Sequence, residues 1–395
     1  MGGGLRLAIS PRRRPSRCKL GGMRLFLMLP LTLLFACAST CPAPYDGSAP
    51  GSPEFTAFVE DHLDAMGAPG ASVGLIRDGG LAWSGGFGEA KPDHDAAADT
   101  IWMMASVSKL VTAAAVLQLA AEGQLDLDAP INEVLPFAVD HPRSDVPITA
   151  RMLLEHQSGL RDNSHVIWGQ YAPGDPTKPL EQWLREVLVP GGENYDAEEN
   201  FSHDDPGDSY AYCNTGYALA GYLVEVLAAQ PFDDWCREQL FAPLRMDDTA
   251  WMLADLPEER IANPYERGLF GVRAQPHYGY PDYPDGQLRT TVGDLSRFLL
   301  MLAHDGVDED GVQILDPWAA QALWDDSIGA QSARELDYRL RGHGGSDNGV
   351  RAEVWLEVDG ELGYLLFMNR RLFSDDQKHA CRCAQQGLLE AAEGL

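Results

Sequence analysis

A chain of 395 residues with 45% apolar and 23% charged side chains can bury a large core, which excludes a disordered protein or a small stapled scaffold. Lys and Arg number 30 against 59 Asp and Glu, and the net charge of -29 repels polyanions, so nucleic acid is not an expected partner. The length fits one large domain, or one domain with an inserted subdomain.

The charge is unevenly placed. No acid precedes Asp46, while Arg6, Arg12, Arg13, Arg14, Arg17, Lys19 and Arg24 all lie ahead of Cys37. The apolar run from Leu25 to Ala36 follows, too short to span a bilayer comfortably and of signal-peptide length. Residues 1–37 therefore read as an export signal, and Met23-Arg24 would start a conventional short one by itself. Leu34-Phe35-Ala36-Cys37 resembles a bacterial lipobox, in which the Cys37 thiol is acylated, although Phe35 is bulkier than that pattern usually allows. The expected location is periplasmic, with contact to a membrane only through a lipid on Cys37, or secreted if the signal is simply cleaved. Residues 38–53, rich in Ala, Pro, Ser and Gly, predict a flexible tether, and residues 54–395 the folded domain.

Glu54 to Met66 is amphipathic and predicts a helix. Ser72–Ile76 and Leu81–Ser84 flank the turn signal Asp78-Gly79-Gly80 and predict a hairpin. From Val107 to Ala121 apolar residues recur at helical spacing on most of the surface, which predicts a buried helix ended by Gly123. Further helices are expected at 149–156, 180–187, 216–229, 233–240 and 292–304. Val350 to Val358 alternates, Asp359-Gly360 turns the chain, and Leu362–Met368 completes an antiparallel pair before a last helix at 377–392. The expected class is α+β, with strands from both chain ends sharing one antiparallel sheet around a mainly helical subdomain at about 106–290.

Beyond the signal lie Cys41, Cys213, Cys236, Cys381 and Cys383, and export permits disulfides whose pairing stays open. Cys381-Arg382-Cys383 lacks a second ligand pair at zinc spacing, so no metal is expected. The acidic runs at 204–208 and 305–310 miss the calcium-loop spacing and read as solvated turns.

Ser106-Val107-Ser108-Lys109 opens the buried helix, and three residues of separation put both side chains on one face. A desolvated amine surrounded by donors can be neutral enough to activate a serine hydroxyl, and a helix N-terminus favours developing negative charge. A Ser three residues before a Lys arises by chance in many chains, but this one has only five lysines, and a lysine on a nearly all-apolar helix has no structural reason to be there. Tyr212-Cys213-Asn214 lies just before a predicted helix, and Gly342-His343-Gly344-Gly345-Ser346 precedes the first C-terminal strand. Taken singly, Tyr212 is ordinary packing, His343 a turn or core histidine, and Cys213 a small buried residue.

Together these segments resemble the serine β-lactamase and penicillin-binding-protein-like superfamily, the branch of class C β-lactamases, D-alanyl-D-alanine carboxypeptidases, D-aminopeptidases and related esterases. Ser-x-x-Lys, Tyr-x-Asn and His-x-Gly occur in that order at 106–109, 212–214 and 343–345, with matching text at 153–160, 241–249 and 290–295, over roughly residues 55–390. The resemblance implies a β-lactamase/transpeptidase-like fold and an acyl-enzyme on Ser106. It makes Lys109 the group that takes the proton, Tyr212 the second acid/base and Asn214 the orienting amide. His343, Gly344 and Gly345 edge the site where many β-lactamases carry Lys-Thr-Gly, the glycines letting a substrate backbone pass, and the N–H groups of Ser106 and Ser346 form the oxyanion hole.

The expected activity is hydrolysis of an amide or ester of a small molecule or peptide, without cofactor. His343 in place of a permanently charged lysine favours an esterase or a D-amino-acid peptide hydrolase over a true β-lactamase. A non-catalytic member that binds cell-wall peptides or a partner protein is the alternative. An α/β-hydrolase is not favoured: the Gly-x-Ser-x-Gly at 70–74 runs into the first strand of the predicted hairpin, whereas that fold needs its serine on a turn between a strand and a helix.

Overall fold

The computed structural model describes residues 41–268, 271–324, 328–335 and 338–395; the expected signal and the Cys37 lipidation site lie outside the described residues. Helix α1 (Pro53–Met66) is opened by the Ser52 hydroxyl, which accepts the Phe55 N–H, and closed by Gly67 in the left-handed region. Strands β1 (Gly70–Arg77) and β2 (Gly80–Lys91) form the predicted hairpin, with the short β3 (His94–Asp95) outside them.

The chain then runs through α2 (Ser108–Ala121), α3 (Ala150–Leu154), α4 (Ser164–Gly169), α5 (Leu180–Leu188), α6 (Asn214–Ala228), α7 (Phe232–Cys236), α8 (Val292–Ala303) and α9 (Pro317–Trp324). The predicted helices are all present with shifted ends, while α4 and α9 escape the periodicity argument because each is short. Strands β4 (Gln331–Glu335), β5 (Tyr338–Asp347), β6 (Val350–Glu357) and β7 (Leu362–Met368) follow, and α10 (Asp375–Glu393) closes the chain.

The strands form one antiparallel sheet in the order β4-β5-β6-β7-β1-β2-β3, so the two chain ends meet where Ala71 faces Met368 and Arg77 faces Leu362. Gly342–Ser346 does not precede the first C-terminal strand, as expected, but lies inside the second, β5. Three glycines in that stretch remove the alternating side chains by which a strand is recognised.

Strand alternation sorts the sheet's side chains into two layers. Val354, Leu356, Leu365 and Phe367 join the larger core with α2 and α8, and Trp355, Tyr364, Leu366 and Met368 pack towards α1 and α10. Helix α2 is buried from Ser108 through Leu117, as its all-round apolar sequence requires.

The stretch 38–53 differs from the expected free tether over its described part. Cys41 is disulfide-bonded to Cys383 on α10, and the Tyr45 ring meets Phe55 and Phe58 edge-on at centroid distances of 6.4 and 5.5 Å. Cys213, Cys236 and Cys381 are buried thiols. The cross-link spans 342 residues of sequence, and its removal in Cys41→Ser is expected to cost roughly 2–4 kcal/mol. Urea unfolding with and without dithiothreitol checks this: the wild-type midpoint should fall under reductant to the value of the variant, which itself should not respond.

Candidate active site

Three segments far apart in sequence converge where β5 passes the start of α2. A 3-10 turn, Ala105–Val107, precedes α2, and Ala105 holds φ at +47°, a left-handed conformation that costs an L-residue energy and recurs at functional sites. The turn sets Ser106 one helical turn before Lys109, with the Lys109 Nζ donating to Ser106 Oγ at 3.4 Å. Tyr212, in the loop entering α6, donates its hydroxyl to the same Ser106 Oγ at 2.8 Å.

Lys109 is 1% exposed, but its neighbours are acceptors rather than the donors expected from the sequence. Nζ also donates to Asn214 Oδ1 at 2.7 Å and to the Asp285 carbonyl at 2.6 Å, which with Ser106 satisfies the three donors of an ammonium. Burial pushes the lysine pKa down, yet Tyr212, Asp285 and Asp162 push it up by more, so the net direction is upward. The three acceptors and this upward direction both favour an ammonium at rest over the neutral amine expected from burial alone.

Asn214 is held by the mouth of α6. The Asp162 carboxylate accepts the N–H groups of Asn214 and Thr215 at 2.8 and 2.9 Å, placing a negative charge on the positive end of the helix dipole. Cys213 caps the same helix: its Sγ accepts the Gly216 N–H and donates to Asp162, and burial raises its pKa, so the thiol stays neutral.

A cleft of about 270 Å³ opens over Ser106, and Tyr212, Asn214 and Ser346 share its wall. The lining also includes Ile167, Trp168 and Tyr171 from α4 and the residues after it, with Tyr280, Asp285, Asp347 and Arg371. The Tyr171 ring lies 5.1 Å from Trp168 and 4.7 Å from Tyr280, and its hydroxyl donates to both oxygens of Asp347 at 3.0 and 3.1 Å. Burial, with Asp162 and Asp347 close by, raises the Asp285 pKa even though Lys109 pulls it down.

His343 is not among the residues that line this cleft. It is 2% exposed, its Nδ1 lies 2.7 Å from the Gly344 carbonyl, and burial together with the Lys109 charge pushes its pKa down to about 3. The ring is thus neutral and buried, where the sequence led to the expectation of a residue edging the site. Gly344 turns its missing side chain towards Glu353, and a Cβ there would meet that carboxylate at 3.2 Å. Gly345 is required by the protein itself: a Cβ would stand 2.2 Å from the Met104 carbonyl and 3.2 Å from the Ser106 nitrogen.

Sequence reasoning missed Asp162, Asp285 and Arg371 as site residues. None sits in a recognisable spacing, and Asp285 contributes its backbone carbonyl, which has no sequence signature.

The fold and this Ser-Lys-Tyr arrangement define a serine-hydrolase-type enzyme. The chain belongs to the β-lactamase family, whose profile matches residues 55–383. It is 29% identical over 279 residues to penicillin-binding protein 4 of Amycolatopsis lactamdurans, covering 68% of this chain and 69% of that protein. It is 25% identical over 246 residues to protein flp of Staphylococcus aureus strain MW2, covering 61% of this chain and 47%, about half, of the relative. A D-amino acid amidase from Ochrobactrum anthropi SV3, solved with D-phenylalanine, superposes with a TM-score of 0.67 at 24% identity over 86% of this chain and 97% of that one, which establishes likeness of fold.

Proposed function

We propose that the protein hydrolyses an amide or ester through an acyl-enzyme on Ser106. The observation that carries this reading is the Ser106 hydroxyl, bracketed by the Tyr212 phenol at 2.8 Å and the Lys109 amine at 3.4 Å at the floor of an open cleft.

In the working form the Lys109 amine and the Tyr212 phenol hold one proton fewer than in the resting arrangement. With the remaining proton on Lys109, the phenolate oxygen takes the proton of Ser106 as Oγ attacks the substrate carbonyl, and the ammonium steadies the phenolate. The N–H groups of Ser106 and Ser346 face the resulting oxyanion. Tyr212 returns the proton to the departing nitrogen or oxygen as its bond to the carbonyl carbon breaks. Water then attacks the acyl ester while the phenolate takes its proton, and Ser106 recovers that proton on release of the acid. Asn214, on the cleft wall, keeps Lys109 in place through its amide oxygen.

Esters and amides or peptides of D-amino acids are the favoured substrates. Relatives and structural neighbours include a penicillin-binding protein and a D-amino acid amidase, and β5 sends no cation into the cleft to anchor a carboxylate. Hydrolysis of β-lactams is the second reading, favoured by Arg371, whose guanidinium on the cleft wall can pair with such a carboxylate. The Cys41–Cys383 disulfide supports export to an oxidising compartment, and among the described residues no helix is long and apolar enough to cross a membrane.

A hydrolysis panel of short-chain p-nitrophenyl esters, D-phenylalanine amide, a D-Ala-D-Ala peptide and nitrocefin tests the reading. Esters and D-configured amides should turn over with a pre-steady-state burst and nitrocefin should be slowest. No burst with any of them refutes an acyl-enzyme, and nitrocefin turning over fastest selects the second reading.

A further inference from the structure

The loop that carries Tyr212 has little of its own to hold it. Residues 209–213 belong to no helix or strand, Tyr210 is 65% exposed and Tyr212 is 37% exposed, so packing alone leaves the phenol free to swing. Yet the hydrogen bonds on either side of Tyr212 converge on one residue. The Ala211 N–H donates to the His156 carbonyl at 2.7 Å, and the Cys213 N–H donates to His156 Nδ1 at 3.1 Å. Between these two points the His156 ring lies on the Tyr212 ring, with centroids 4.3 Å apart and planes 32° from parallel.

Resting on the proton-transfer role argued above, we infer that His156 is the positioning residue that holds the Tyr212 hydroxyl against Ser106. The residue sits just past the end of α3 with φ at +58°, a place where glycine is the comfortable choice. A histidine kept there trades backbone comfort for what its ring reaches, and strain of this kind points to function. The ring must be neutral to accept the Cys213 N–H. Lys109 and His343 face it, Tyr210, Tyr212 and Tyr217 surround it, and burial with the first two pushes its pKa down to about 3. Nδ1 is therefore an acceptor throughout the neutral range, its proton being carried by Nε2.

Two variants separate the ring from the acceptor. His156→Phe keeps the stack and loses the hydrogen bond, whereas His156→Asn keeps an acceptor, tolerates the left-handed backbone and loses the stack. Each should lower kcat on p-nitrophenyl butyrate about tenfold or more, with KM changed much less, and should shift the limb of the pH profile that reports the Lys109–Tyr212 pair. In a Tyr212→Phe background the same changes should cost nothing further, because the group being positioned is gone. A merely structural role would cut activity equally in both backgrounds, and that result overturns the inference, as does a kcat unchanged in whichever variants fold. If Tyr212→Phe itself keeps wild-type kcat, the proton-transfer reading fails and takes this one with it. If Tyr212→Phe is inactive while the His156 variants are normal, this inference alone falls.

Discussion

Ser106→Ala is expected to lower kcat on every substrate of the panel by on the order of 10⁵-fold and to abolish covalent labelling by a fluorophosphonate or penicillin probe. The hydroxyl is the one group in the cleft held by both the phenol of Tyr212 and the amine of Lys109, so nothing nearby substitutes for it as a nucleophile. The fold should survive. Lys109 keeps its bonds to Asn214 and the Asp285 carbonyl, and Tyr212 is exposed enough for water to satisfy its hydroxyl. Mass spectrometry after probe treatment, alongside steady-state rates, checks the expectation. Retained turnover, or a probe adduct at full occupancy on the variant, would remove Ser106 from the chemistry.

Tyr212→Phe is expected to lower kcat by about 10²- to 10⁴-fold with a far smaller change in KM. Its ring would still stack on His156 and still lie 5.1 Å from the Lys109 ammonium, so the site's shape and charge should be preserved while the proton acceptor disappears. Both acylation and deacylation pass through this oxygen, so the pre-steady-state burst should slow together with the turnover that follows it. Rapid-quench or stopped-flow measurement of both phases decides the matter. A loss confined to KM would assign Tyr212 to substrate binding, and an unchanged burst rate would return the proton-acceptor role to Lys109.

The second expectation turns on a point where sequence and structure part. A lysine on the buried face of α2 is legible in the sequence, because a helix repeats every few residues and the apolar neighbours of Lys109 declare the burial by themselves. Its protonation state is not legible. That depends on an amide oxygen from Asn214, a main-chain carbonyl from Asp285 and the charges of Asp162 and Asp285, all brought in from distant parts of the chain. The sequence reading supplied donors around the amine; the fold supplies acceptors.

His343 shows the same division. Its place in a Gly-rich stretch after the helical region is plain, but the strand character of β5 is hidden by the glycines, and only the sheet, where His343 pairs with Val354, buries the ring. The pairing of Cys41 with Cys383 was likewise open among several cysteines until the N-terminal segment was seen lying against α10.

Local order along the chain encodes one set of features. This comprises the hairpin at 78–80, the buried helix after Ser106, the strand pair at 350–368 and the ordered Ser-x-x-Lys, Tyr-x-Asn and His-x-Gly segments. The acceptors around Lys109, the burial of His343, the assembly of Trp168, Tyr171 and Tyr280 into one wall, and the two-point grip of His156 on the Tyr212 loop all wait on the folded chain. The physical reason is that periodicity and turn chemistry act between neighbours in the chain, whereas dielectric, charge and hydrogen-bond partnership at a site are sums over residues that meet only once the sheet has closed.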